Sequence, residues 1–296
     1  MNTENYIEVI KPGLYTTIQD KGRYHYRHWG VPIGGAMDQH SLRFVNACLG
    51  NSPDEAVIEV TMIGPELRFH GSALICISGA DVEIFLDSEI VPMNKVLLVR
   101  SGQTLKYGRF LNGCRSYIGI MGGFEIAPVL GSLSPMEDTH LRPFQKTDRL
   151  PLKLYQETNE DFKLLDFRFH HSIRPAKIDS SAAIRVSWGP EWNWLSDNAR
   201  TLLSNAAFTI SAHADRMGYR LKGPDLERDH SEELLSSAVM PGTVQLLPDG
   251  QLVILMRYCQ TTGGYPRILQ TDEESINLLA QRRPGEQVKF RVDPAQ

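Results

Sequence analysis

Two glycine-bearing polar segments, one near each end of the chain, hold the residues best suited to chemistry. The first spans 13–38 and reads GLYTTIQDKGRYHYRHWGVPIGGAMD, placing Gln19, Asp20 and Arg23 ahead of Gly34, Gly35 and Asp38. The second is split into HADRMGYRL (213–221), with Asp215, Arg216 and Arg220, and QTTGGYPR (260–267), with Gln260, Thr261, Thr262, Gly263, Gly264 and Tyr265. Glycine lets a ligand approach the backbone closely. Arginine grips carboxylate or phosphate through two parallel bonds. Gln and Thr offer neutral donors and acceptors that suit amide, lactam or ureido groups, and such donors aimed at a developing oxyanion strengthen in the transition state.

Each segment also has a purely architectural reading. The first can be a set of turns ending in a helix cap at Asp38, or a glycine-rich loop whose helix start receives an anion. The first part of the second segment can be an Asp–Arg pair bracing a turn, and its QTTGGYPR part a strand end with a bulge. The chain has no GxxxxGK[ST] phosphate loop and no GxSxG nucleophile turn. His25 and His28 have metal-ligand spacing, but no thiol or carboxylate cluster joins them, so no metal is expected. Trp188, Trp192 and Trp194 around Gly189-Pro190 read as core packing or a partner surface.

Short apolar runs must position these segments. Strands are expected at 57–60, 73–78, 82–86, 95–100, 117–120, 183–187, 208–211, 243–247, 252–257 and 287–292, punctuated by Gly, Pro, Asp and Asn. Pro248-Asp249-Gly250 predicts a hairpin turn. Helices are few: one from 39 to about 49, capped by Asp38, apolar at Leu42, Val45 and Leu49 and ended by Gly50, and one near 196–204. The pattern predicts a mainly β protein, with barrels favoured because closure removes exposed edges. A charged stretch near 151–181, carrying His170 and His171, reads as a linker between an N-terminal β unit (1–175) and a C-terminal one (176–296).

A net charge of −4 provides no basic footprint for nucleic acid or an anionic membrane, and no apolar run approaches a bilayer span. Four scattered cysteines, without CxxC spacing, and a polar N-terminus point to a reducing, cytoplasmic setting. Cys48 and Cys76 read as small core residues.

The motifs GLYTTIQDKGR, GVPIGGAMD, GNSPDEAVIEVTMIGPELRF, MGGF, SAHADRMGYRLKGP, PGTVQLLPDGQ, QTTGGYPRI and LAQRRPGEQVKF run in consistent order along nearly the whole chain. On these motifs the chain resembles the family of the C subunit of bacterial 5-oxoprolinase, also labelled biotin-dependent carboxyltransferase-like, allophanate hydrolase subunit 2-like, or KipI antagonist. The resemblance implies two cyclophilin-like β-barrel units with a few short helices. It implies a subunit that works with a KipI-like B subunit and an A subunit in ATP-dependent opening of 5-oxoproline to glutamate, inactive alone. Two alternatives accompany it. One is the carboxyltransferase half of a urea carboxylase or allophanate-type system, which needs biotin on a separate carrier because no Met-Lys dipeptide occurs here. The other is a non-catalytic regulator of a KipI-like inhibitor. The implied catalytic residues are Asp20, Asp215, Arg216 and Gln260. Substrate contacts are implied for Gln19, Arg23, Gly34, Gly35, Asp38, Arg220, Gln245, Thr261, Thr262, Gly263, Gly264 and Tyr265. In this reading Gln260 and Thr262 meet the lactam, Arg216 or Arg220 holds a carboxylate or phosphate, and Asp20 or Asp215 orients an Arg or water. Two departures stand beside the motifs. Leu133 occupies the place of an arginine in an SRS-type tract, and Tyr258-Cys259 replace an Asp-Arg pair before QTTGG.

Overall fold

Strand-forming apolar runs alternate with glycine turns along the chain, and the computed structural model describes residues 5–153, 174–175, 177–230 and 233–292. The expected linker, with His170 and His171, lies largely outside the described residues. The protein is mainly β, and three α-helices are present among the described residues. The chain divides into two compact units, Met1–Gly22 with Asp38–Ile178, and Arg23–Met37 with Asp179–Gln296. This differs from a single cut near residue 175, because Arg23–Met37 groups with the second unit.

The first unit is a nine-stranded antiparallel half-barrel. One path through it runs Tyr15–Gln19, Val57–Thr61, Thr104–Ile120, Glu66–His70, Tyr6–Lys11 and Arg149–Pro151. The runs expected at 73–78 and 82–86 form one strand, Ala73–Leu86, because the glycine between them makes a bulge rather than a turn. Gly79 has φ +99° and the register slips beside it. The strand expected at 117–120 is the end of the long Thr104–Ile120 strand, which pairs along that bulged partner. Ile7, Ile58, Val60, Leu67, Phe69 and Ile118 fill one core.

The other face of this sheet carries a buried polar row. Thr17 lies opposite Glu59, Glu59 opposite Tyr117, and Tyr117 opposite Ser78. Beside the row, helix α1 (Gln39–Leu49) buries Leu42, Val45 and Leu49, and Gly50 ends it in the left-handed region at φ +68°. Gly119 permits that packing, since a Cβ there would meet Val45 and Leu49 at 2.9–3.0 Å.

The second unit is an eight-stranded, nearly closed barrel. The expected strand 287–292 breaks at Lys289 into two pieces with different partners. Gln287–Val288 pairs with Phe208–Ile210, and Phe290–Val292 pairs in parallel with Ile184–Trp188. One segment thereby covers both end strands and brings the barrel close to closure. The Pro248-Asp249-Gly250 turn joins Thr243–Leu246 to Leu252–Leu255, with Gly250 at φ +79° and its amide bonded to the Leu247 carbonyl. Helix α2 (Asp197–Asn205) is capped by Ser196. Helix α3 (Glu273–Ala280), which the sequence reading did not expect, is capped by Asp272. Met37 is buried in this unit's core with Ile184, Leu221, Ile254 and Leu279.

Asp38 caps α1 with both oxygens: Oδ1 accepts from the Ser41 amide at 3.0 Å and Oδ2 from the Ser41 hydroxyl at 2.7 Å. Asp38→Ala should lower stability by about 1–2 kcal/mol. Urea unfolding checks this, Asp38→Asn retaining most of the stability, and a parental midpoint for the alanine variant would contradict the assignment.

Candidate functional site

In the first unit the site residues sit in a buried hydrogen-bond frame. Asp20, at the end of the Tyr15–Gln19 strand, is 7% exposed and accepts four bonds. Its Oδ1 takes the Gly22 amide at 2.8 Å and the hydroxyls of Ser132 and Ser134 at 2.7 and 2.9 Å. Its Oδ2 takes the Leu133 amide at 2.7 Å. The Ser132-Leu133-Ser134 tract therefore wraps the carboxylate, and Leu133 joins the apolar core. Gln19 is fully buried and donates to Thr17 Oγ1 at 2.9 Å. The Asp38 amide donates to the Tyr117 hydroxyl at 2.9 Å. Burial, then the charges of Glu59 and Asp38, push the Tyr117 hydroxyl well above its ordinary pKa, so it stays protonated. Glu59 and Arg115, both buried, approach to 3.8 Å. Sequence reading passed over this pair because each residue stands alone in an apolar-alternating strand.

In the second unit three separated stretches of sequence meet. Gly34 and Gly35 both have positive φ, +67° and +86°. The Gly34 amide donates to the Arg257 carbonyl at 2.9 Å, and a Cβ at Gly34 would press on the Tyr258 ring at 3.1 Å. The Gly35 carbonyl accepts from Arg216 Nη2 at 2.5 Å. The Arg216 guanidinium lies 4.6 Å from the Tyr258 ring centroid, a cation–π contact, and the Tyr258 amide bonds to the Arg216 carbonyl at 2.9 Å. Tyr258 is thus the floor beneath Arg216. Cys259 is buried beside Val239 and Leu255, and burial pushes its thiol up to about 11. Arg27 donates to the carbonyls of Val239 and Thr261, tying the first glycine-rich segment to the QTTGGYPR stretch.

Asp215 accepts from the amides of Met217 and Gly218 at 2.7 and 3.1 Å and braces the turn that carries Arg216. That is the turn-bracing role anticipated for it, filled by backbone amides. Arg220 is exposed on the Gly218–Lys222 strand. Gln245 is buried and donates to the Tyr265 carbonyl at 3.3 Å. Gly263 crosses it closely: a Cβ there would meet Gln245 Nε2 at 2.7 Å. Gln260 and Thr261 are half-buried, and Thr262, Gly264 and Tyr265 are exposed. Arg23 is buried, its amide bonded to the Ile33 carbonyl at 2.6 Å. No cluster of three or more His, Cys, Asp or Glu side chains suited to a metal occurs among the described residues.

Two ion pairs hold these stretches, and the sequence reading singled out neither. Arg257, 6% exposed, forks onto Glu273 of α3 at 3.1 and 2.5 Å, and its Nε donates to the Met37 carbonyl at 3.5 Å. Arg267 forks onto Glu191 at 2.9 and 2.7 Å, while its amide donates to the same carboxylate at 2.9 Å. A lone arginine ending the apolar run LVILMR, and a lone glutamate among tryptophans, were the available signals.

With this geometry in place, the comparisons decide the family. The model of the carboxyltransferase domain, subdomain A and B, matches residues 29–292. The chain belongs to this carboxyltransferase family. The resemblance read from its motifs is thereby borne out. The C subunit of 5-oxoprolinase from Escherichia coli (strain K12) is 32% identical over 290 residues, covering 96% of this chain and 90% of that one. Its counterpart in Haemophilus influenzae is 34% identical, covering 97% and 91%. The urea amidolyase of Saccharomyces cerevisiae is 31% identical over 96% of this chain, which spans 16% of that enzyme. The crystal structure of Kluyveromyces lactis urea carboxylase superposes with a TM-score of 0.86 at 26% identity, covering 98% of this chain and 27% of that one.

The Glu191–Arg267 pair gives a test of what holds the carboxyltransferase fold's QTTGGYPR segment. Burial raises the Glu191 carboxyl, but the bonds from Arg267 outweigh it and the net pKa is lowered. Its stabilisation is therefore complete above the unfolded value of about 4.3 and lost as pH falls through the lower folded value. Glu191→Gln should cost about 1–3 kcal/mol at neutral pH. The gap to the parent should close in unfolding curves taken below about pH 4; a gap that is constant with pH contradicts the ion pair.

Proposed function

We propose that this chain is a subunit of an ATP-dependent complex that opens 5-oxoproline to glutamate, acting only when assembled with KipI-like and A-type partner subunits. The observation that carries this reading is the bonding of Arg216 to the Gly35 carbonyl and of Arg27 to the Thr261 carbonyl within one unit, on a chain matched over 96–97% of its length by two proteins named as the C subunit of 5-oxoprolinase. A lactam presents a carbonyl acceptor and an N–H donor, and Gln260 and Thr262 supply both partners. Charge developing on the lactam oxygen, or on a phosphorylated form of it, falls to a guanidinium. Arg216 is set for that task by its stack on Tyr258 and its bond to Gly35. Asp20 and Asp215 act by positioning: the first holds the Ser132–Ser134 tract and the second the Arg216 turn.

The test is co-expression with the two partner subunits, followed by assay of ATP hydrolysis and glutamate release with 5-oxoproline. Turnover should require all three subunits, and Arg216→Ala should lower kcat/KM about a hundredfold while the complex still assembles. Unchanged turnover in Arg216→Ala removes the arginine from the mechanism. Turnover of urea with a biotin carrier, and none of 5-oxoproline, replaces the reading with carboxyl transfer.

A further inference from the structure

The Gln260–Thr262 stretch leads into a very small piece of β-structure. Among the described residues, Thr262–Gly263 pairs only with Ser237–Ala238, Ser237 opposite Gly263 and Ala238 opposite Thr262. The pairing continues one bond further, where the Val239 amide donates to the Thr261 carbonyl at 3.1 Å. An isolated two-stranded ribbon is marginal in water even at full hairpin length. This one needs anchors outside itself, and arginine side chains supply them. Arg267 Nη1 donates to the Ala238 carbonyl at 3.0 Å, while its other nitrogens are committed to Glu191.

Arg27 is the other anchor, and it spans the ribbon. Its Nη2 donates to the Val239 carbonyl and, at 3.3 Å, to the Thr261 carbonyl, so one nitrogen bridges the two strands. Both bonds go to main-chain oxygens. The charge is also felt at Cys259, the neighbour of Gln260, where it works against the burial that raises the thiol. Arg27 reaches the ribbon from a closed turn, Arg27–Trp29. The Trp29 amide donates to the Tyr26 carbonyl and the Gly30 amide to the Arg27 carbonyl, each at 3.0 Å, and the Tyr26 and Trp29 rings lie 5.6 Å apart. Holding the Thr261 carbonyl fixes the rigid peptide plane that joins Thr261 to Thr262.

We infer that Arg27 is the positioning residue of this stretch: by bridging the Val239 and Thr261 carbonyls it sets where Gln260 and Thr262 present their donors. The inference rests on the reading, given above, of those two residues as partners of the lactam. Arg27 acts through the Thr261 carbonyl and meets no reacting atom. A guanidinium suits the task because a charge-assisted bond is roughly twice as strong as a neutral one, and the ribbon has few bonds of its own.

Two measurements on Arg27→Met test this. In hydrogen exchange on the full chain, protection of the Val239 amide should fall at least about tenfold while the barrel amides of Val244 and Ile254 exchange as in the parent. In the three-subunit complex, kcat for 5-oxoproline opening should fall at least about tenfold with KM within about threefold of the parent, because donors aimed at a developing oxyanion act mainly in the transition state. Arg27→Lys, which keeps a charged donor on a shorter stem, should exceed Arg27→Met in kcat by at least about threefold. Parental protection at Val239, an equal loss at Val244 and Ile254, a rise in KM alone, or a lysine variant no better than methionine overturns the proposal. Parental kcat in Arg27→Met overturns the positioning role and leaves the lactam reading standing. Absence of 5-oxoproline turnover in the parent complex overturns the lactam reading and this role with it.

Discussion

A charge taken out of water must meet its partner, and the candidate site depends on how this chain meets that requirement. Leaving a buried charged group without its hydrogen-bond partners costs about 1–3 kcal/mol or more, so each such group fixes the segments that supply those partners. Asp20 draws Gly22 and the Ser132–Ser134 tract onto itself. Arg257 binds α3 on one side and the Met37 carbonyl on the other. Glu191 holds Arg267 by three bonds. Glycine-rich stretches have the most backbone entropy to lose, and these anchors hold them where propensity alone would not.

The consequence is a division of labour. Ionised groups in the two units are spent largely on architecture, and the groups left facing outward on the Gln260–Tyr265 stretch are mostly neutral donors and acceptors. Arg216 joins the two sets: its guanidinium is oriented by Gly35 and Tyr258, in a loop braced by Asp215. A neutral, preorganised surface with one oriented cation suits a neutral amide whose oxygen must gain charge, since its donors need not reorganise as that charge appears.

Much of this was legible locally. Asp38 and Gly50 announced both ends of α1, because caps satisfy orphan backbone groups. Pro248-Asp249-Gly250 announced its hairpin because proline presets one turn dihedral and glycine accepts positive φ. The non-local features were not legible. Gly79 looked like a strand break and is a bulge, since only the partner strand decides whether an extra residue can be absorbed. Lys289 divides one apolar run between two partners. Arg257 and Glu191 carry no local pattern, because their partners lie 16 and 76 residues away. The glycine segments were recognised as a group, but the grouping of Arg23–Met37 with the second unit rests on long-range bonds to Arg216 and Arg257.

The claim that paired buried charges hold the glycine-rich segments in place is tested most directly by amide hydrogen exchange in Arg257→Met. Methionine fills much of the same space and removes the bonds to Glu273 and the Met37 carbonyl. Protection at the Gly34 amide should fall at least about tenfold, while the barrel amides of Val244 and Ile254 exchange as in the parent. Unchanged protection at Gly34, or an equal loss at all three amides, would contradict the account.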